Sequence, residues 1–245
     1  MHEVELVLAI DTIERAGAVI TQTCRDHFDA AVPSCPGWSV SDLATHTAQI
    51  QLWAAGLLAG GEPGPLPDAP TGLDPTGVAA WADTARSTLV EQLKTCDPDR
   101  PVWTFIGQRP AAWWARRQAN EAAVHAWDAT VGTGAPWEPP AEIATDALDE
   151  ALEVFLPRRW GHKPPTWGDG RTVHLHRTDG DGEWLVTIAA TPAVRKGHAK
   201  GDVAVRGPIT ELLVWTLGRS APGHPQVEVF GDEDLATAWA ANVKI

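Results

Sequence analysis

The N-terminal part of the chain spaces its apolar residues as helices do. Over residues 3–28 they recur at three- and four-residue intervals, which predicts a first amphipathic helix. Ser39 or Ser41 can cap a second helix, which ends near Gly60. Three more segments have the same character and predict helices: 78–94, 110–130 and 141–155. A succession of helices of this length indicates an antiparallel four-helix bundle.

After about residue 157 the apolar pattern changes to alternation, which is typical of half-buried strands. The segments RTVHLHRT and EWLVTIAA, joined by DGDG, predict a hairpin, and DVAVRG and QVEVFGD predict further strands. PITELLVWTLGR and DEDLATAWAANV predict helices packed on the sheet. We therefore expect an α+β protein, with a helical bundle at 1–157 and a smaller α/β domain with a mainly antiparallel sheet at 158–245.

Charge and cysteine content exclude several classes of protein. The 32 acidic residues outnumber the 19 basic ones and give a formal net charge of −13, so the surface repels nucleic acid and anionic membranes. Three cysteines without CxxC spacing indicate a reducing compartment. The N-terminus lacks a basic signal region, and no apolar run approaches the roughly 20 residues of a spanning helix. We expect a cytoplasmic monomer or small homo-oligomer with no nucleic-acid or membrane partner.

Two side chains of the segment RRQANEAAVHAWDAT have the spacing of metal ligands. Glu121 and His125 are four residues apart on a predicted helix, so they project side by side and can share one ion. Zinc accepts imidazole and carboxylate, and a catalytic site needs a third protein ligand, which His46 of another predicted helix can supply. A surface ion pair or a hydrogen-bonded core histidine explains the same residues without a metal.

Four segments together resemble the mycothiol-dependent maleylpyruvate isomerase family. These segments are VPSCPGWSVSDLATHTAQIQLWAA, RRQANEAAVHAWDAT, VAVRGPITELLVWTLGRSAP and VEVFGDEDLATAW. The resemblance implies a DinB-like bundle in which His46, Glu121 and His125 bind zinc or another divalent metal, with mycothiol as the thiol cosubstrate. It also implies that Arg219 closes over the active site from the C-terminal domain, where it can stabilise developing negative charge.

The reaction that this resemblance implies uses an external thiol on a small electrophilic substrate, conjugated or anionic. A metal-bound thiolate adds to a conjugated double bond, the resulting single bond rotates, and elimination returns the thiol; an S-transferase would retain the adduct. Family members commonly carry histidines where this chain has Asn120 and, nearby, Gln51, so these two positions can alter the substrate-facing surface. A zinc hydrolase and a non-catalytic binding or accessory protein on the same fold remain alternatives.

Several further residues have both a functional and a structural interpretation. Arg117 can bind a substrate anion or be an ordinary surface cation. Trp38 can contact the thiol or substrate, or be a hydrophobic staple before the second helix. Trp53 can line the pocket or pack in the core. Asp128 can orient the imidazole of His125, or serve as a cap or salt-bridge partner.

His174 and His176 alternate on a predicted strand and therefore face the same side, a spacing that also occurs in zinc enzymes. No third ligand is close to them in the sequence. Because Arg171 and Arg177 are neighbours, a solvated strand face is the favoured interpretation.

Overall fold

The computed structural model describes residues 5–134 and 136–244. Contacts between residues divide the chain into two compact units, one ending at Ile143 and the other beginning at Ala144. The helical unit contains four long helices, with a short hairpin before the fourth. Its elements are α1 (Leu6–Asp26), α2 (Val40–Leu58), α3 (Pro75–Thr95), β1 (Pro101–Thr104), β2 (Gly107–Pro110) and α4 (Ala112–Val131).

Most residues of helix α4 are buried. It packs on α1 and, over fewer residues, on α2, while α3 packs on the same two helices. Ala122, Ala126 and Ala129 of α4 belong to one buried cluster with Leu43 and Ala44 of α2 and with residues of α1. Small side chains bring helix axes closer together. Functional groups on α2 and α4 can therefore meet across a short distance.

The hairpin β1–β2 was not predicted from the sequence. Its strands are only four residues each, too short for alternation to be read, and they are joined by a tight turn in which Gly107 has a φ of 93°. The indole of Trp114 donates a hydrogen bond to the carbonyl of Trp103 at 3.0 Å, which joins the hairpin to α4. Aromatic side chains surround this junction, namely Trp53, Trp103, Phe105, Trp113 and Trp114.

The rest of the chain forms a sheet with flanking helices. Its elements are α5 (Ala141–Glu150), a π-helical turn (Ala151–Phe155), α6 (Leu156–His162), β3 (Thr172–Arg177), β4 (Glu183–Thr187), β5 (Ala193–Lys196), β6 (Val203–Gly207), α7 (Ile209–Thr216), β7 (Glu228–Gly231) and α8 (Glu233–Asn242). The strand order is β5-β4-β3-β6-β7, and every pairing is antiparallel except β3 with β6. The predicted α+β class with a mainly antiparallel sheet is confirmed.

The boundary between the units differs from the sequence-based one at 157. Helix α5, which the sequence pattern groups with the bundle, makes polar contacts with the sheet. Asp149 accepts hydrogen bonds from the indole of Trp184 at 2.7 Å and from the ammonium of Lys196 at 2.5 Å. These partners are far from Asp149 in the sequence, so helical periodicity could not reveal the association.

The two faces of the five-stranded sheet have different character. One face is a core of buried side chains against α7 and α8, including Val173, Leu175, Val203 and Val205. The other face carries the even-numbered residues of β3. The prediction of a solvated strand face is wrong for His174, which is 5% exposed. Arg177 does not share that face, because strand residues alternate sides, and its guanidinium bonds to Thr145 and Asp179.

Within the described ranges, no helix has both the length and the apolar character needed to cross a lipid bilayer. Cys24, Cys35 and Cys96 form no disulfide bond with one another. Most of the tryptophans that the structure describes pack in cores; in the C-terminal unit the ring of Trp239 contacts those of Trp160, Trp167 and Trp215. Packing in the cores of the two units thus accounts for most of the tryptophans that the structure describes.

The start of α2 is defined by a capping box, because Ser39 and Asp42 each bond to the other's backbone amide. Replacing Ser39 with alanine removes the acceptor for the Asp42 amide. N-cap replacements of this kind cost about 1 kcal/mol, so we expect chemical denaturation to give a free energy of unfolding lower by about that amount. Ser87→Ala is the matched control, since Ser87 is exposed inside α3 and bonds to its own helix. Equal losses in the two variants would contradict the role of the cap.

Candidate metal centre

Three side chains of the helical unit converge on one point. His46 comes from α2, and Glu121 and His125 come from α4. Oε1 of Glu121 lies 3.5 Å from Nε2 of His46 and 3.2 Å from Nε2 of His125. All three ligating atoms lie within 4.8 Å of one another. The structure therefore brings together the three residues that the sequence motifs indicated.

Helical geometry and helix packing together produce this convergence. Glu121 and His125 are one turn apart on the same face of α4. Ala122 and Ala126, beside them, pack in a core with Ala44 of α2, which is close to His46 in the sequence. The imidazole of His46 on α2 reaches the carboxylate on α4, with Nε2 3.5 Å from Oε1 of Glu121.

Arg117 and Asp128 bond to the atoms of Glu121 and His125 that point away from the common centre. The guanidinium of Arg117, one turn before Glu121, donates a hydrogen bond to Oε2 and leaves Oε1 facing the imidazoles. Nδ1 of His125 lies 3.0 Å from Oδ2 of Asp128, which is fully buried. A carboxylate is an acceptor, so Nδ1 carries the proton in this bond, and Nε2 can ligate an ion once it has lost its own proton.

These contacts show which side chain each of Asp128 and Arg117 bonds to. Asp128 is bonded to the imidazole of His125, as the orienting interpretation requires. Arg117 is paired with the carboxylate of Glu121, a contact that differs from both the substrate-anion and the surface-cation interpretations of its sequence position. Its predicted role in binding a substrate anion stays a prediction.

The charges around Glu121 and His125 shift the pKa values of both groups. Burial alone raises the pKa of Glu121, but the charges of Arg117 and His125 outweigh burial. Hydrogen bonds from His125 and His46 act in the same direction, and the pKa lies well below its ordinary value. Burial alone lowers the pKa of His125, but Glu121 and Asp128 raise it to about 9. Without a metal ion, His125 is therefore protonated at neutral pH.

An aromatic ring forms one wall of the site. The ring centroid of Trp38 lies 4.9 Å from that of His46 and 6.3 Å from that of His125. The rings of Trp38 and His125 are stacked, with an angle of 26° between their planes. The His46 side chain is 29% exposed, whereas those of Glu121 and His125 are 13% and 9% exposed. The site therefore opens to solvent at His46, with Trp38 beside the opening.

The remaining predicted contact residues belong to the helical unit. Trp53 packs edge-on against Trp103 and Trp114 and donates to the carbonyl of Gly64, which agrees with its core interpretation. Asn120 and Gln51 are 2% and 3% exposed, so both are buried inside the helical unit.

Arg219 follows α7 in the C-terminal unit, where its backbone amide donates to the carbonyl of Val214. Its side chain is half-buried. Burial and the charge of Arg219 both lower the pKa of Lys244, so the two cations are near each other. The predicted closure of Arg219 over the active site stays a prediction.

The donor set of the triad is suited to a divalent metal ion. Two imidazoles and one carboxylate are the protein ligands of several catalytic zinc sites, which leave one position for water or substrate. Ligands in such sites are usually held by outer hydrogen bonds, as Arg117 and Asp128 hold two of them here. With no ion present, both imidazoles hydrogen-bond to the carboxylate of Glu121, so the atoms that would bind an ion already face one another.

Two family models match the chain in order. The model of the mycothiol maleylpyruvate isomerase N-terminal domain matches residues 10–130, and that of the MDMPI C-terminal domain matches residues 142–238. No curated protein matches the sequence.

Two crystal structures of mycothiol-dependent maleylpyruvate isomerase are similar to this chain. A mutant form has 18% identity and a TM-score of 0.64, over 92% of this chain and 93% of its own. A second structure has 18% identity and a TM-score of 0.62, over 89% of this chain and 90% of its own. At this level of identity the similarity shows the fold.

Removing one ligand should remove one bound ion. We expect His46→Ala and Glu121→Gln each to lower zinc affinity by at least about tenfold, because losing even an outer partner of a ligand costs that much. Elemental analysis after dialysis measures the bound ion in the tag-free protein. His27→Ala is the matched control, since His27 is an exposed histidine at the end of α1. The assignment is wrong if all three variants retain the same metal as the unchanged protein.

Zinc binding should also release a proton, because the ion competes with the proton on His125, whose pKa is about 9 without metal. Affinity should rise about tenfold for each pH unit from pH 7 to 9 and level off above that. Calorimetry in buffers of different ionisation enthalpy measures the proton released. In Asp128→Asn the plateau should begin at a lower pH, because a carboxylate that raises the pKa of His125 is gone. A constant affinity from pH 7 to 9 would contradict this assignment.

Proposed function

The chain belongs to the mycothiol maleylpyruvate isomerase family, and we propose that it is a mycothiol-using isomerase with zinc or another divalent ion in its helical unit. The proposed ligands are His46, Glu121 and His125. The proposed substrate is a small electrophilic molecule with a conjugated double bond and an anionic group. The solved relatives are named as mycothiol-dependent maleylpyruvate isomerases, which supports this reaction class.

One observation carries the proposal, namely the direction of the ligating atoms. Nε2 of both histidines and Oε1 of Glu121 point to a common centre, while the outward atoms Oε2 and Nδ1 are occupied by Arg117 and Asp128. This arrangement orients the ligands before any ion arrives, which limits the entropy lost on binding.

The chemistry needs a thiolate at neutral pH, and no protein cysteine is among the converging residues. A bound divalent ion would lower the pKa of an external thiol at the open coordination position, so that the nucleophilic thiolate forms. Glu121 contributes the negative charge that retains the ion. Asp128 keeps the proton on Nδ1 of His125 and so maintains the ligating tautomer.

Residues around the opening would orient the thiol and the substrate. Trp38 lies beside the exposed edge of His46, where its indole shields one side from water and offers a flat surface to a ligand. A cation must stabilise the negative charge that develops on the substrate when a thiolate adds to it, and we propose Arg219 for this role. Asn120 and Gln51, as buried amides, would act through the shape of the helical unit.

We further propose that the enzyme works in the cytoplasm on small molecules, as a monomer or small homo-oligomer. Its net charge of −13 and its cysteines without disulfide bonds support this environment. The charge also disfavours nucleic acid as a partner.

The test is a turnover assay of the tag-free, zinc-loaded protein with maleylpyruvate as the probe substrate, followed by ultraviolet absorbance. We expect isomerisation only when mycothiol is added, without net consumption of the thiol. Glu121→Gln should lower kcat/KM by at least about a hundredfold, as expected when an electrostatic contribution to the transition state is lost. His27→Ala is the control and should retain full activity.

Other results would contradict this proposal in distinguishable ways. Consumption of one thiol for each substrate would indicate an S-transferase. Turnover of an ester or amide without thiol would indicate a zinc hydrolase. Tight ligand binding without product, at saturating zinc and thiol, would indicate a binding or accessory protein.

A further inference from the structure

A second group of metal-ligating side chains lies on the C-terminal sheet. His174 and His176 project from the same face of β3, and Glu183 is the cross-strand partner of His176 on β4. One ligating atom from each of these three residues lies within 4.8 Å of those from the other two. The third ligand that the local sequence did not provide thus comes from the paired strand.

The carboxylate of Glu183 lies between imidazoles. Its Oε2 is 2.8 Å from Nε2 of His174, and its Oε1 is 3.5 Å from Nδ1 of His176. Nδ1 of His198, after β5, also lies 2.8 Å from Oε2. A third imidazole on one carboxylate orients it further, as outer partners do for metal ligands.

These residues border an open pocket of about 320 Å³. The pocket is lined by His174, His176, His198, Ala204, Arg206 and Phe230. His174 is almost fully buried at its base, whereas the His176 side chain is 32% exposed. The guanidinium of Arg206 is near Glu228 and lies over the ring of Phe230, so part of its charge is balanced away from the histidines.

We propose that His174, His176 and Glu183 form a second divalent-metal site, with an open coordination position facing this pocket. Two imidazoles and one carboxylate form a donor set that suits zinc, and imidazole-rich sites also bind cobalt, nickel and copper. The net charge of −13 raises the local concentration of cations around the protein. All three ligands lie on two adjacent antiparallel strands, so hydrogen bonding between the strands fixes their spacing.

The proposal is independent of the first metal centre and of the isomerase activity. The experiment therefore uses the tag-free full chain carrying Glu121→Gln, in which the first centre has lost a ligand and should bind zinc at least about tenfold more weakly. We expect equilibrium dialysis and elemental analysis to find one zinc ion for each chain in this background. Cobalt substituted for zinc should give the visible absorption bands of a low-coordinate site, a readout that does not depend on activity.

Two variants test the ligands without disturbing the core. His176→Asn and Glu183→Gln, both at partly exposed positions, should each lower zinc affinity by at least about tenfold in that background. His174 is left unchanged because it is buried. His162→Asn is the matched control, since His162 is an exposed histidine at the end of α6, and it should retain the affinity of the background.

Three outcomes would overturn the proposal. One is no zinc retained in the Glu121→Gln background, and another is an affinity that neither His176→Asn nor Glu183→Gln changes. The third is an equal loss in His162→Asn. If the Glu121→Gln background fails to fold, the ligand variants are made in the unchanged chain. The proposal then requires the number of bound zinc ions to fall by one for each chain.

Discussion

The side chain of Glu121 is only 13% exposed in the helical unit, where an ionised group is stable only if partners replace the water it has lost. Arg117 provides a full positive charge to one oxygen, and His46 and His125 face the other. This requirement explains why polar groups accumulate around one point of a core otherwise rich in alanine. In the proposed metal-bound form, a divalent ion would replace the proton on His125 and still balance the carboxylate.

A carboxylate also meets imidazoles on the C-terminal sheet, where the side chain of Glu183 is partly exposed. There Glu183 is surrounded by imidazoles that come from strands and a loop rather than from helices. Residues one helical turn apart and residues two apart on a strand both share a face, so either element can present a pair of ligands. In each case the third converging side chain comes from a neighbouring element, and tertiary contacts therefore decide whether a pair of donors gains a third.

The sequence motifs identified the triad of the helical unit correctly as a group that converges. They did so because the helix period places Glu121 and His125 together and because the family resemblance pointed to His46. The motifs could not assign Arg117, since a guanidinium four residues before a carboxylate is equally compatible with a surface position. Its contact with Oε2 depends on burial by neighbouring helices, which local spacing does not contain.

By itself the sequence determined the type and approximate bounds of the long helices and main strands, because apolar periodicity is a local property. It also determined which titratable residues share a face. Only the tertiary structure decided that the chain divides at 143, that β1–β2 and β5 form, and that Glu183 is opposite His176. Strand register and helix packing join residues distant in the chain, and their free energy comes from burial and pairing that no local pattern specifies.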